Sequence, residues 1–276
     1  MNRKSNLTVV TTLLLLASLG APLRADELAE KGRGIFEKNQ HAIVTVQVVL
    51  KASSGSSSRS SETKQDLTGT VVDPSGLTVV ALSSADPAEM YRRLSEEYKI
   101  ETEVSDVKIL LEDGTEVPAE IVLRDKDLDL AFIRPKVKPA APMTAVDLSK
   151  SSPAQVLDQV VTLNRLNRAS GRAYSASVER ISAVVQKPRT FYIPDSTMTG
   201  TALGSPAFAM NGNVLGVLVL RVVSLQGAAG RANISQGMTS IILPAEDILK
   251  ASKQAPEAKV DEPKKDAPKE EAKDGK

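Results

Sequence analysis

The sequence feature that most constrains the fold is a series of short apolar runs, rich in Val and Ile and separated by turn residues. The runs span residues 42–50, 67–72, 77–82, 107–111, 117–123 and 128–133 in the first half, and 156–164, 173–185, 190–193, 206–210, 214–223 and 238–243 in the second. Runs of this length and composition are typical of β-strands. Asn211-Gly212 between two runs is the strongest short-range signal for a hairpin. The pattern therefore indicates an all-β sandwich or barrels.

Two segments break this pattern and predict helices. Residues 26–40 have helical spacing of apolar side chains, and residues 86–98 begin with Asp86, Pro87 and Glu89. Asp at the N-cap, Pro at the first helical position and Glu three residues after the cap are typical of a helix start. The Ser-rich stretch 51–64 is interpreted as a loop, and the pair 67–72 and 77–82 as a hairpin turning at Asp73-Pro74-Ser75-Gly76.

Composition shifts divide the chain into five parts. Residues 1–25 have a basic start, an apolar run at 9–19 and a small residue at Ala25, as in a secretory signal peptide. The alternative is an uncleaved membrane anchor, which needs about 20 apolar residues. Residues 135–153 hold four prolines between the strand-rich halves 26–134 and 154–250, and predict an interdomain linker. Residues 251–276 are charged, with Val260 as the one large apolar side chain, and predict a disordered tail.

The composition excludes several kinds of site. The chain has no Cys and one His, which removes disulfides and Cys-ligated zinc. A net charge of +1 argues against a nucleic-acid partner. Asp125, Asp127 and Asp129 lack the Gly and bidentate Glu spacing of a calcium loop, and no phosphate-binding glycine motif occurs. We therefore expect no metal and no cofactor.

Four segments occur in the order of a known family. They are LTGTVVDPSG at 67–76, VKILLEDG at 107–114, DKDLDLAFI at 125–133, and GSPAF followed by NGNVLGV at 204–217. Together they resemble the HtrA (Deg) branch of the trypsin-like serine proteases, without a recognisable PDZ domain. The resemblance implies two antiparallel six-stranded β-barrels, 26–134 and 154–250, with a short N-terminal helix, one inserted helix and a disordered C-terminal tail.

The resemblance also assigns the catalytic positions. The aspartate position falls on Asp129, the histidine position on Ser83, the serine position on Leu203 and the oxyanion glycine position on Thr201. A triad needs a hydroxyl, an imidazole to accept its proton and an acid to orient the imidazole. We therefore expect no catalytic residues, and interpret Asp129 as an aspartate that caps backbone amides at a strand start.

Other catalytic arrangements remain open but are less favoured. His41 opens the first strand, well before the expected histidine position. Ser205 as nucleophile requires a register shift of two residues. A Ser-Lys pair of Ser83 or Ser205 with Lys108 or Lys187 is chemically feasible because a buried lysine can act as a base.

These observations predict an exported pseudoprotease, periplasmic or extracellular, that binds a peptide or protein ligand. An active protease of the same family is one conceivable partner, with the chain as a structural subunit; a membrane is a partner only if the signal segment stays uncleaved. The alternative function is an active HtrA-type serine endopeptidase with a rearranged site.

Overall fold

A computed structural model describes residues 24–54, 57–94, 100–195, 202–224 and 237–257 of the 276-residue chain. Residues 1–23 of the predicted signal segment, Thr201 and residues 258–276 of the predicted tail lie outside this part.

Six antiparallel strands form a first closed barrel. The strands are β1 (Ile43–Ser54), β2 (Ser57–Val71), β3 (Thr78–Ala81), β4 (Ile100–Leu110), β5 (Glu116–Asp125) and β6 (Leu130–Pro135), in the spatial order β1-β2-β3-β6-β5-β4. Alternate residues of β1, among them Val44, Val46 and Val48, pack into the barrel core. This alternation has the two-residue period of a strand, as the apolar pattern predicts.

A second closed barrel has the same architecture. Its strands are β7 (Gln159–Arg165), β8 (Tyr174–Val185), β9 (Phe191–Pro194), β10 (Pro206–Ala209), β11 (Val214–Val222) and β12 (Met238–Pro244), in the spatial order β10-β11-β12-β9-β8-β7. The predicted Asn211-Gly212 hairpin joins β10 to β11, with Gly212 at φ +83°. The expected fold of two six-stranded barrels is confirmed.

The barrels share an apolar interface in addition to their separate cores. Ile43 and Phe132 of the first barrel belong to one buried cluster with Phe208 and Val217 of the second. Burying side chains of this size contributes roughly 1.5–3 kcal/mol each. Apolar burial therefore fixes the position of one barrel against the other.

Helices flank the barrels. They are α1 (Arg24–Asn39), α2 (Leu82–Ala85), α3 (Pro87–Leu94) and α4 (Ala245–Ser252). Helix α1 buries Ile35, and α4 buries Ile248 and Ala251, in the shared cluster. Within the described ranges, no helix has the length and apolarity to cross a membrane.

The Ser-rich segment 51–64 is not a loop, contrary to the prediction. Strand β1 continues to Ser54 and β2 begins at Ser57, so the barrel hairpin is extended. Ala52 pairs with Ser61 on one side and with Thr102 on the other. Ladder hydrogen bonds on both sides of β1 outweigh the weak strand preference of serine.

The described part of the inserted helix, α3, begins at Pro87 and extends to Leu94, and residues 95–98 of the predicted helix lie outside the described residues. The Asp86 carboxylate accepts a hydrogen bond from the Thr102 hydroxyl of β4. Helix α4 continues past residue 250, and Ala251 is buried because it packs on the shared cluster. The proline-rich segment packs on both barrels: the Val146 amide donates to the Val71 carbonyl (2.9 Å), and the Ser152 amide to the Val214 carbonyl (3.1 Å).

Candidate functional site

Asp129 lies where the two barrels meet, at the end of the β5–β6 turn. The Asp125 carboxylate accepts hydrogen bonds from the amides of Asp127 (3.1 Å) and Leu128 (3.0 Å), which closes the turn. Asp129 follows with φ +58°, a left-handed conformation that aspartate tolerates better than most residues. Its side chain is 3% exposed and points into the interface.

Ser83 is the neighbour of Asp129 because β3 and β6 are paired. Ala81 pairs with Leu130, and the Leu82 amide donates to the Asp129 carbonyl (2.9 Å), which brings the next residue, Ser83, to the Asp129 side chain. The Ser83 amide donates to Asp129 Oδ1 (2.8 Å), and the Ser83 hydroxyl donates to Asp129 Oδ2 (2.8 Å).

A third donor comes from the second barrel. The backbone amide of Leu220 in β11 donates to Asp129 Oδ2 at 2.8 Å. Asp129 thus accepts from two backbone amides, as the capping interpretation expects, and connects the barrels. The sequence carried no signal for Leu220, because any residue except proline supplies a backbone amide.

Burial raises the pKa of Asp129 to about 6, because the surrounding protein disfavours its charged form. The hydrogen bonds from Leu220 and Ser83, and the positive charge of Arg93, lower the pKa but do not cancel the effect of burial. A carboxyl group with this pKa changes charge between pH 5 and 7.

Leu203 lies in the loop that enters β10. Its side chain is 7% exposed, and the next residue, Gly204, has φ +94°. A Cβ on Gly204 would lie 2.1 Å from the Thr68 carbonyl oxygen, so no other residue fits without movement of the backbone. The Gly204 carbonyl accepts from Thr70 Oγ1 at 2.7 Å, and its amide donates to the Leu218 carbonyl at 2.8 Å. The loop that holds Leu203 is therefore hydrogen-bonded to both barrels through Gly204.

Ser205 is buried beside this loop. Its exposure is 0%, and within the described residues its Oγ has no hydrogen-bond partner. A hydroxyl in this position neither faces solvent nor contacts a base.

The other candidate bases contact different groups. His41 Nδ1 lies 2.9 Å from Glu112 Oε2, and its ring meets Tyr174 edge-on. Lys108 Nζ lies 2.7 Å from Glu116 Oε2, and this pairing raises the lysine pKa, whereas a catalytic lysine needs a lowered one. Lys187 is exposed in the β8–β9 connection. The structure thus brings Ser83 and Asp129 together and leaves His41 and Lys108 engaged elsewhere.

The three aspartates of the β5–β6 turn do not converge on a cation. Asp125 is occupied by the turn amides and Asp129 by Ser83 and Leu220. Among the described residues, no group of His, Asp and Glu side chains is arranged to hold a metal ion.

Comparisons with known proteins agree with this architecture. A search of curated proteins finds no match. Among solved structures, the HtrA-type protease AlgW, a serine-to-alanine variant solved with a decapeptide, superposes with a TM-score of 0.56 at 15% sequence identity. The match covers 80% of this chain and 65% of that one, so this chain spans slightly less than two thirds of that protease. The family profile of the trypsin-like peptidase domain matches residues 32–217, which include Ser83, Asp129 and Leu203. The chain belongs to the trypsin-like peptidase domain family.

Proposed function

We propose that this chain is a non-catalytic member of its family that binds a peptide or protein in the cleft between the barrels. The observation that carries the proposal is the Ser83–Asp129 pair. A serine hydroxyl donates to the carboxylate at the position where the family resemblance expects an imidazole. A hydroxyl is a far weaker base than an imidazole, so it cannot activate a nucleophile in the same way.

The nucleophile side of the cleft supports the same proposal. Leu203 has no nucleophilic atom, and the buried Ser205 hydroxyl is 0% exposed. Acyl transfer needs a nucleophile within reach of both a base and the substrate carbonyl. Neither side chain meets this requirement in the described geometry.

A domain of this fold can bind a peptide without catalysing any reaction. An extended peptide can add to a strand edge through main-chain hydrogen bonds, with side-chain pockets for specificity. The solved structure of the HtrA-type neighbour is with a decapeptide, which supports a peptide as ligand class. The basic and apolar start of the chain supports export, so we place this binding in the periplasm or outside the cell.

One observation favours an alternative function, an active serine endopeptidase with a rearranged site. Ser205 lies two residues after the expected nucleophile position, in a family of peptidases. This alternative requires the loop to move, because the Ser205 hydroxyl is buried.

A labelling experiment separates the two functions. The purified chain is treated with a fluorophosphonate probe and, separately, incubated with unfolded casein, with active trypsin as positive control. We expect no adduct and no hydrolysis. An adduct or activity that disappears in Ser205→Ala would establish the endopeptidase and overturn the proposal.

A further inference from the structure

A turn on the second barrel combines two features that are unfavourable in an isolated chain. Leu157, two residues before β7, has φ +75°, a left-handed conformation that a bulky side chain rarely adopts. Its side chain is also 66% exposed, and the neighbouring Val156 is exposed as well. Glycine or asparagine at such a turn position would remove both the strain and the exposed apolar surface. Strained backbone of this kind is concentrated at sites that bind or switch.

Hydrogen bonds hold this turn rigidly on β8. The Leu157 amide donates to the Ile181 carbonyl (2.7 Å), and the Ile181 amide donates to the Asp158 carbonyl (3.0 Å). The Gln155 amide donates to the Asp158 carboxylate (2.7 Å), which closes the turn. Val156 and Leu157, which we call the apolar turn, therefore form a preorganised protrusion. Such a protrusion loses little conformational freedom when a partner covers it.

An apolar groove lies near this turn, between helix α1 and strands β7 and β8. Its cavity of about 310 Å³, which we call the helix groove, is lined by Gly32, Phe36, Val161 and Val178 among others. A cavity of this size with apolar walls is typical of a site that receives a ligand or side chain. Val178 and the Ile181 that holds the turn are three residues apart on β8, or about 10 Å. Leu157 is exposed, so it does not fill the groove of its own chain.

The charged groups beside the two features favour a contact between them in two copies. Asp158 directly follows the apolar turn, and Arg33 lines the helix groove; both are exposed and their charges are opposite. Arg180 lies between the turn and the groove on β8, where its apolar stem can pack while its charge stays in water. Because turn and groove both adjoin β8, a two-fold axis can seat each turn in the other copy's groove.

We propose that this chain forms a dimer in which the apolar turn of each copy occupies the helix groove of the other. Burial of Val156 and Leu157 in an apolar groove explains why the chain keeps a strained and exposed leucine where glycine or asparagine would be more stable. The two contacts involve α1 and the second barrel alone. They are therefore separate from the cleft around Asp129, and the dimer goes beyond the peptide binding proposed there.

Sedimentation velocity of the purified chain over a range of protein concentrations measures the dissociation constant of the dimer. We expect a dimer with a dissociation constant on the order of micromolar, because two small contacts form a modest interface. Leu157→Asn should raise this constant at least tenfold and leave the thermal midpoint unchanged or higher, since asparagine tolerates left-handed backbone. A purely structural role for Leu157 predicts the opposite, a lower midpoint with unchanged association.

A second variant tests the groove side of the contact. Val178→Gln places a polar amide in the helix groove and should also raise the dissociation constant at least tenfold. The matched control is Val137→Gln, because Val137 is 67% exposed but lies outside the turn and the groove. We expect no change in association for this control. Thermal unfolding of each variant checks that the fold is intact.

Mixing the two interface variants shows whether turn and groove contact each other. A mixed dimer keeps one intact contact, between Leu157 of the Val178→Gln copy and the groove of the Leu157→Asn copy. The equimolar mixture should therefore associate more strongly than either variant by itself. A mixture that associates no better than its components would overturn the proposal, as would a wild-type chain that stays monomeric well above micromolar concentration. Dimerisation that neither variant weakens would belong to another surface and would also overturn it.

Discussion

Two sets of polar contacts join the barrels, and they differ in burial. The buried junction consists of Ser83, Asp129, Leu220, Thr70 and Gly204, and the rim junction of Asp66, Arg172, His41, Glu112 and Tyr174. Asp129 and Thr70 are at most 3% exposed, whereas the side chains of His41 and Glu112 are 49% and 60% exposed.

The comparison shows why the buried junction tolerates few changes. Each polar group there has given up water, so removal of one partner leaves the other unsatisfied in the interior, which costs about 1–3 kcal/mol. Groups of the rim junction exchange a lost partner for water. Exposed ion pairs accordingly contribute only about 0–1 kcal/mol.

The largest expected effect is at Gly204 of the buried junction. Gly204→Ala places a Cβ 2.1 Å from the Thr68 carbonyl oxygen at φ +94°, so both contact and conformation are unfavourable. We expect a loss of about 3 kcal/mol or more, measured by urea unfolding. The matched control is Gly212→Ala, with φ +83° but open space around the added atom, which should cost roughly 1 kcal/mol. Similar losses in the two variants would show that contact with Thr68 is unimportant.

A second expected effect is a dependence of stability on pH through Asp129. Its folded pKa is about 6, above the ordinary value of 3.8. Between these values the folded state holds a proton that the unfolded state has released, so stability falls as pH rises. The contribution is fully present below pH 4 and is lost above pH 6, a change of about 3 kcal/mol.

The measurement compares the free energy of unfolding of wild type and Asp129→Asn from pH 4 to pH 7. Other titrating groups cancel in the difference. The free energy of unfolding of wild type minus that of Asp129→Asn should decrease as pH rises from 4 to 7. If this difference does not change with pH, Asp129 titrates with its ordinary pKa.

The rim junction should respond less. Arg172 Nε and Nη2 lie 2.9 and 2.7 Å from Asp66 Oδ2, with both side chains partly exposed. Arg172→Gln should cost about 1 kcal/mol or less, and added salt should reduce this cost. A loss equal to that of Gly204→Ala would remove the distinction between the two junctions.

The smallest effect concerns the C-terminal segment, which contains few apolar residues. Deleting residues 258–276 should leave the thermal midpoint unchanged, because a segment of this composition cannot form a core. Deleting from residue 251 removes the buried Ala251 and should lower the midpoint by several degrees. A drop of that size after the shorter deletion would show that residues 258–276 pack on the domain.

The strands could be predicted because their signals are local. Alternating apolar residues in β1 and the Asn211-Gly212 turn between β10 and β11 depend on neighbours within a few positions. The extension of β1 through the Ser-rich segment could not be predicted, because it depends on pairing with β4, about 50 residues away.

The candidate site likewise has features that the sequence predicts and features that only the tertiary structure reveals. From the sequence by itself, the resemblance predicts that Ser83, Asp129 and Leu203 occupy the positions of a protease triad, because order and spacing of motifs are properties of the chain. Only the tertiary structure decided that the Asp129 carboxylate is buried, accepts hydrogen bonds from both Ser83 and the Leu220 amide, and has a raised pKa. Desolvation and charge proximity depend on distances between residues far apart in the chain, and packing alone sets those distances.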